Sequence, residues 1–195
     1  MGMFILNISM SLDGFIAGPK DDDQPDREVG ALDILHDWMF SGKTEPEAEE
    51  WLSGYLKNVG AFIMGRRVFK FGVGPWGDNT AFHAPCFVLS HRAQETIVNQ
   101  GGTSYTFITD GIESALEKAR AAAGEKDIVL NGGANAAQQY LKAGLLDEIN
   151  LYLVHVLLGQ GIQLFENIGT ELIKLEKISV TEAPGVTHLR FRVVS

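Results

Sequence analysis

Short apolar runs separated by polar turns are the first thing this chain shows. They read as strands at about 3–9, 60–64, 85–89, 104–108, 127–131, 148–157, 172–181 and 187–194. Between several of them the apolar period lengthens to that of a helix. In 46–57, Ala48, Trp51, Leu52, Tyr55 and Leu56 share one face, and in 111–123, Ile112, Ala115, Leu116 and Ala119 do the same. Glu113 and Glu117 there precede Lys118 and Arg120, the order that suits the helix dipole. A third helix covers 134–143 and stops before Gly144, a residue suited to the left-handed cap position. Strands alternating with helices predict a parallel sheet. The end of the chain departs from that rule, because 172–181 and 187–194 flank a turn at Ala183 to Gly185 and read as an antiparallel hairpin. The run Leu151 to Leu158 is apolar on both faces, as a central strand would be. The expected fold class is therefore α/β: a mostly parallel central sheet flanked by helices with an antiparallel C-terminal hairpin, in one domain over 1–195.

The points where strands meet helices carry the candidate chemistry. Gly132 and Gly133 lie between the apolar run 127–131 and the helix from Ala134. A strand that ends in glycines and feeds a helix gathers backbone N–H groups and a positive dipole end at one point, and no Cβ blocks the approach of a phosphate. Alternatively, the pair is only a tight turn. Gly65, followed by Arg66 and Arg67, repeats this grammar more weakly after 60–64. Two such sites suggest a ligand with several phosphates, such as a dinucleotide. His91 and Arg92 directly follow the strand 85–89, with Ser90 as a further hydroxyl donor. Strand ends of a parallel sheet lie on one edge, so these cations would gather there and fit an extra phosphate such as the 2′-phosphate of NADP. The plainer alternative for each is surface charge.

One literal G-x-G-x-x-G runs from Gly72 to Gly77, but it follows a helix, contains Pro75 and reads as a loop after a short helix at Arg66. Trp76 in that loop could stack on a flat ring. Asp13, at the end of the first strand beside Gly14, could hold a substrate amine or relay a proton, or serve as a turn residue. Asp33, His36 and Asp37 would share one helix face, either a wet one or one that handles protons; Asp33 reads as wet and Asp37 stays open. The polar stretch Lys20 to Glu28 reads as a surface loop.

Composition narrows the partners. Net charge −9 and a pI near 5.0 argue against nucleic acid and anionic membranes. Hydrophobic content of 45% with mean hydropathy +0.02 reads as a globular chain of the cytoplasm, with no signal segment or span expected. The single cysteine, Cys86, lies in an apolar strand and reads as a core thiol. The histidines and acids show no metal-ligand spacing, and there is no nucleophile elbow.

Taken together, several segments resemble the dihydrofolate reductase-like superfamily, in particular the branch that contains the reductase domain of bacterial riboflavin biosynthesis and small stand-alone relatives. The carrying segments are Ser9 to Ala17, Met64 to Phe69, Val88 to Arg92, Asn131 to Ala134, Gly144 to Glu148, Val156 to Gly159 and the closing hairpin. The resemblance implies NADPH lying across the strand ends. Gly65, Arg66 and Arg67 would hold phosphate. Ser90, His91 and Arg92 would surround the 2′-phosphate, and Gly132, Gly133, Ala134 and Asn135 would cradle the pyrophosphate, often with a cis bond between the glycines. It also implies hydride transfer to a C=N or C=O carbon of a small pterin-, pyrimidine- or sugar-like substrate, with Asp13 orienting substrate or relaying a proton and Asp37 behind it. A homodimer is the expected assembly. A non-catalytic NADP- or flavin-binding protein on the same fold is the alternative.

Overall fold

The computed structural model describes residues 2–18, 33–39, 56–76 and 82–194, with the side chains of 73–76 outside that description. The main sheet is built from β1 (Phe4–Ser11), β3 (Val59–Gly65), β4 (Cys86–Leu89), β5 (Ile97–Val98), β6 (Ser104–Ile108), β7 (Asp127–Leu130), β8 (Glu148–Val154), β10 (Lys174–Ala183) and β11 (Val186–Val194). A small separate pair joins β2 (Phe15–Ala17) to β9 (Ile162–Gln163). The helices are α1 (Arg66–Trp76), α2 (Ile112–Ala123) and α3 (Ala134–Lys142). Strand order across the sheet is β10-β11-β8-β1-β7-β3-β4-β6-β5. From β8 to β6 every neighbouring pair is parallel, whereas β11 on β8, β10 on β11 and β5 on β6 are antiparallel.

Burial explains the order. The central strands β1, β7 and β3 carry the most continuous apolar runs because both their faces are covered. One face packs Phe4, Leu6, Ile63, Ile128 and Leu130 against α2 and α3. Tyr140 of α3 meets Phe4 edge to face at 4.8 Å and donates its hydroxyl to the Ile112 carbonyl at 2.7 Å. The other face carries two separate clusters. Phe62, Met64, Val88, Tyr105 and Phe107 pack with Phe69 of α1; Tyr152, Val154 and Val186 pack with Leu35 and Trp38. Between these clusters the second face of β1 is polar.

Several expectations are met in detail. The residues of α2 that share an apolar face, Ile112, Ala115, Leu116 and Ala119, are buried. Gly144 follows α3 with φ +64, donating to Leu141 while Leu145 donates to Tyr140, the paired bonds of a Schellman ending. Pro184 and Gly185 (φ +75) close the β10–β11 hairpin between the paired residues Ala183 and Val186. Cys86 is buried, and that burial pushes its thiol pKa up.

Others are corrected. The stretch from Gly72 to Trp76 is not a loop but the second half of α1. Tertiary packing outweighs the poor helix propensity of glycine and proline here, since Val68 and Phe69 hold this helix on the sheet. The strand expected over 148–157 stops at Val154, where the chain turns to meet the loop after β1. Of the helix expected over 46–57, only Leu56 and Lys57 fall among the described residues, and Leu56 ends a helix there. The Lys20 to Glu28 loop and the Trp76 side chain lie outside the described residues. No helix among those described is long and apolar enough to cross a membrane.

Candidate functional site

All six parallel strands end at one edge, and the residues singled out in the sequence sit there. Gly65 closes β3 and Gly132 follows β7, its immediate neighbour in the sheet. The two turns touch backbone to backbone: the Gly65 N–H donates to the Gly132 carbonyl at 2.8 Å. A Cβ on Gly65 would stand 3.4 Å from the Gly133 nitrogen. Gly132 has φ +79, and a Cβ on it would come within 2.8 Å of Ile8 Cδ1. Its peptide bond to Gly133 is cis. The positive φ of Gly132 requires glycine there, while Gly65 leaves the approach to the Gly133 nitrogen bare.

Gly133 is also the N-cap of α3, and no side chain caps this helix. Its first-turn N–H groups therefore have no intramolecular side-chain acceptor, which leaves them for an outside anion. Ala134 is buried beneath that turn, and Asn135 is exposed on it, accepting a bond from Gln139 Nε2 at 2.7 Å.

One strand further, the loop after β4 meets the start of α1. Arg66 Nη1 donates to Ser90 Oγ at 3.2 Å and to Gln94 Oε1 at 3.1 Å. Ser90 Oγ also accepts the Arg92 N–H at 3.1 Å and donates to the Arg92 carbonyl at 2.8 Å. A hydroxyl has one proton to give. Ser90 is therefore committed to shaping the turn and to anchoring the Arg66 guanidinium, and the expected hydroxyl donor to a ligand is replaced by an organiser of cations. His91 and Arg92 stay exposed. The Arg67 guanidinium lies 5.7 Å from the centroid of the Phe71 ring, while Arg66 is the arginine of this pair bonded to Ser90.

Asp13 is held more tightly than the sequence suggests. Its Oδ1 accepts the Ser11 hydroxyl at 2.6 Å and the Leu158 N–H at 3.2 Å, and its Oδ2 accepts the Gly159 N–H at 2.7 Å. The Ser11 hydroxyl is the largest influence and, with the Gly159 and Leu158 amides adding to it, holds the carboxyl below the usual carboxylate range against desolvation, which opposes them. An acid so placed is ionised at neutral pH and acts as an acceptor. Its geometry is that of a clip between the β1–β2 turn and the Val156 to Gly161 segment, which the Leu12 N–H to Val156 carbonyl bond (2.9 Å) reinforces.

Asp37 is exposed, as is Asp33. The inward directions of that segment are taken by Leu35 and Trp38, and the turn tightens to a 3-10 geometry at Asp37–Met39, which breaks the expected shared face. Among the described residues the Asp13 carboxylate accepts its hydrogen bonds from Ser11, Leu158 and Gly159, and none comes from the Asp37 segment.

Residues the sequence reading passed over form the floor of the gap between the two clusters. Side chains in register on neighbouring parallel strands share a face. Asn7 of β1 pairs in register with Asn150 of β8, which pairs with Arg190 of β11. Asn131, directly after Leu130 of β7, continues this row on the other side of Asn7. One row nearer the ligand edge lie Ser9, Tyr152 and His188. Trp38 covers them: it stacks on Tyr152 at 4.6 Å, meets His188 edge-on at 5.0 Å and donates its indole N–H to Ser9 Oγ at 3.3 Å. Burial pushes the Tyr152 hydroxyl up to about 12, and the Asn7 amide donates to it. Further from the edge, Arg190 pairs with the buried Glu148 at 3.0 Å and donates to Asn150 Oδ1 at 3.3 Å. The signal for this row was present in the sequence, since asparagines interrupt three otherwise apolar runs, at Asn7, Asn131 and Asn150.

This parallel sheet, with its antiparallel C-terminal strands and a strand-end edge marked by paired glycines, defines the dihydrofolate reductase-like architecture. The chain belongs to the family described as the RibD C-terminal domain, whose model matches residues 3–189. It is 26% identical over 172 residues to the uncharacterized protein YwjB of Bacillus subtilis (strain 168), covering 86% of this chain and 84% of that one. Among solved structures it resembles a Shewanella sp. PV-4 protein named for riboflavin biosynthesis, at TM-score 0.73 and 23% identity over 99% of both chains. It also resembles a dihydrofolate reductase from Enterococcus faecalis complexed with NADP(H), at TM-score 0.59 and 14% identity, covering 100% of this chain and 98% of that one. At these identities the structural likenesses establish the fold.

Proposed function

We propose that this protein is an NADPH-dependent reductase that transfers hydride to a C=N or C=O carbon of a small pterin-, pyrimidine- or sugar-like substrate. The observation that carries this reading is the glycine contact, where Gly65 and Gly132–Gly133 meet beside the uncapped start of α3. Any Cβ at Gly65 would cover the Gly133 nitrogen, so the residues present fit a group that needs bare backbone, such as a pyrophosphate. Ser90 and Arg92 follow β4, two strands from β7 or about 10 Å at ordinary strand spacing, and Arg66 reaches them from the end of β3 between. A dinucleotide with a third phosphate spans such a distance.

In this reading Gly65, Gly132, Gly133, Ala134 and Asn135 receive the pyrophosphate. Arg66 and Arg92, with His91 beside them, receive the 2′-phosphate, and Arg67 adds longer-range positive charge. When bound, the reduced nicotinamide supplies the hydride. The protein aligns the reacting carbon and excludes water. Asp13 keeps the Val156 to Gly161 segment in place as one wall of the site and so orients substrate indirectly. Asp37, exposed beside the buried Trp38, stands behind Asp13 as the second candidate acid. This reading takes the protein as cytoplasmic and as a homodimer, the latter favoured by the exposed apolar side chains of β10 (Leu175, Ile178 and Val180).

The test is to follow the absorbance of reduced nicotinamide with the purified protein and a panel of pterin, pyrimidine and carbonyl acceptors. Turnover with NADPH on any of them supports the reading. Tight NADPH binding with no turnover on the whole panel favours the non-catalytic alternative.

A further inference from the structure

Resting on the reading of the glycine contact as a phosphate cradle, we infer that Gln138 is a positioning residue: it ties the cofactor helix to the wall of the substrate site, so that a phosphate bound at Gly133 orders the Val156 to Gly161 segment through it. Gln138 lies one turn beyond Ala134 in α3 and is buried. The other buried positions of that helix are Ala134, Ala136, Ala137, Tyr140 and Leu141, so an apolar side chain is the ordinary occupant of such a place. Burying a carboxamide is costly unless its groups are bonded. Here Nε2 donates twice, to the Gln163 carbonyl at 3.1 Å and to the Leu164 carbonyl at 3.1 Å.

What those two carbonyls belong to gives the amide its further role. Gln163 is in β9, which pairs with β2 at Phe15. Leu164 is fully buried, and its N–H donates to the Gly14 carbonyl at 3.0 Å. Leu164 is therefore bonded to α3 through its carbonyl and to the β1–β2 turn through its N–H. Gly14 directly follows Asp13, whose carboxylate accepts the Leu158 and Gly159 amides. An unbroken run of bonded groups thus leads from α3 to the wall. The wall itself lies between β8 and β9 and belongs to neither sheet, and Leu157, Gly159 and Gln160 in it are exposed. Segments with so little packing of their own open locally at low free energy, and their position is set by the bonds that hold them. A phosphate on the first-turn N–H groups pins the start of α3 and, through Gln138, narrows the positions open to β9 and the wall.

The probe is 2′-phospho-ADP-ribose, which is NADP⁺ without its nicotinamide: it has the phosphates but no nicotinamide to touch the wall directly. Hydrogen exchange read by mass spectrometry follows the amides of 156–164 in the full chain, with and without saturating probe. The wild type is compared with Gln138→Met, which keeps the side chain's length and loses its donor. In the wild type the probe should slow exchange of these amides at least about fivefold. In Gln138→Met that ratio should fall below about twofold, while protection of 133–137 by the probe persists. A residue of structural value alone would raise exchange in 156–164 to the same degree with and without probe, so a ratio in Gln138→Met equal to that of the wild type overturns the inference. So does a variant that no longer binds the probe, since Gln138 would then hold the cradle itself. A wild type that binds the probe and leaves 156–164 unprotected also overturns it, with the cofactor reading left standing. Failure to bind either the probe or NADPH removes that reading and this inference with it. Should Gln138→Met not fold, Gln138→Asn decides the matter: its amide falls one methylene short of the two carbonyls, and the same loss of protection is expected, with an unchanged ratio overturning the inference.

Discussion

A single methyl group at position 65 should separate cofactor binding from folding. Gly65 has no positive φ, and a Cβ there would stand 3.4 Å from the Gly133 nitrogen and 3.8 Å from the Gly132 oxygen, ordinary contact distances. Gly65→Ala is therefore accommodated by the fold, and the loss of freedom in the unfolded chain should stabilise it by about 0.4–1 kcal/mol. In a chain of this length that is a rise in Tm of roughly 1–4 °C. The same methyl occupies the space through which a phosphate oxygen would reach the Gly133 N–H. Losing one hydrogen bond to a charged group costs about 1.5–3 kcal/mol, which weakens NADPH binding roughly 10- to 150-fold. Differential scanning calorimetry gives the first quantity and a titration with NADPH the second. A variant that binds NADPH within twofold of the wild type would refute the assignment of this contact to the cofactor. A variant whose Tm drops sharply would refute the claim that the space is open.

Three further outcomes are expected. Arg66→Ala combined with Arg92→Ala should raise the KM for NADPH about tenfold or more, with little change for NADH, since the proposed role of each arginine is a charge-assisted bond to the 2′-phosphate alone; equal effects in steady-state kinetics would count against that pocket. Asp13→Asn should lower stability to denaturant at neutral pH by loosening the Val156 to Gly161 segment. Because Asp13's folded pKa lies below the unfolded one, its stabilisation is present above the unfolded value of about 4 and is lost as pH falls through the folded value, so the gap between the two proteins should narrow as the solution is acidified; a gap that does not change with pH would refute the clip. Leu175→Asp with Val180→Asp, both on partly exposed apolar positions of β10, should convert a dimer into a folded monomer in sedimentation analysis, and an unchanged mass would place the interface elsewhere.

The parts of the fold that could be read from the sequence are those governed by burial. Runs such as Phe4 to Leu6 and Ile128 to Leu130 are apolar because they lie at the centre of the sheet, and that pattern survives without any knowledge of neighbours. β2, β5 and β9 were not legible, since runs of two or three residues carry no period and their pairing is set by distant partners such as Gln163 with Phe15. α1 was read too short because Gly72 and Pro75 look like helix breakers in isolation, whereas the packing of Phe69 on the sheet decides the matter. In the site, the glycine turns were legible because glycines at the ends of two apolar runs, one of them feeding a helix, mark bare backbone at a strand-to-helix turn, and Gly132 takes a positive φ there. What Asp13 does was not, because both candidate roles begin with an acid at a strand end, and the choice between them depends on amides 145 and 146 residues away. The asparagine row shows the same limit: three separated polar interruptions become one feature only when β7, β1 and β8 are set side by side.

The most direct test of the central claim is calorimetric titration of the purified protein with NADPH and, separately, with NADH. The site as described requires micromolar or tighter NADPH binding and NADH binding at least tenfold weaker. If neither nucleotide binds, the glycine contact at Gly65 and Gly132–Gly133 serves chain packing alone and the reductase account is contradicted.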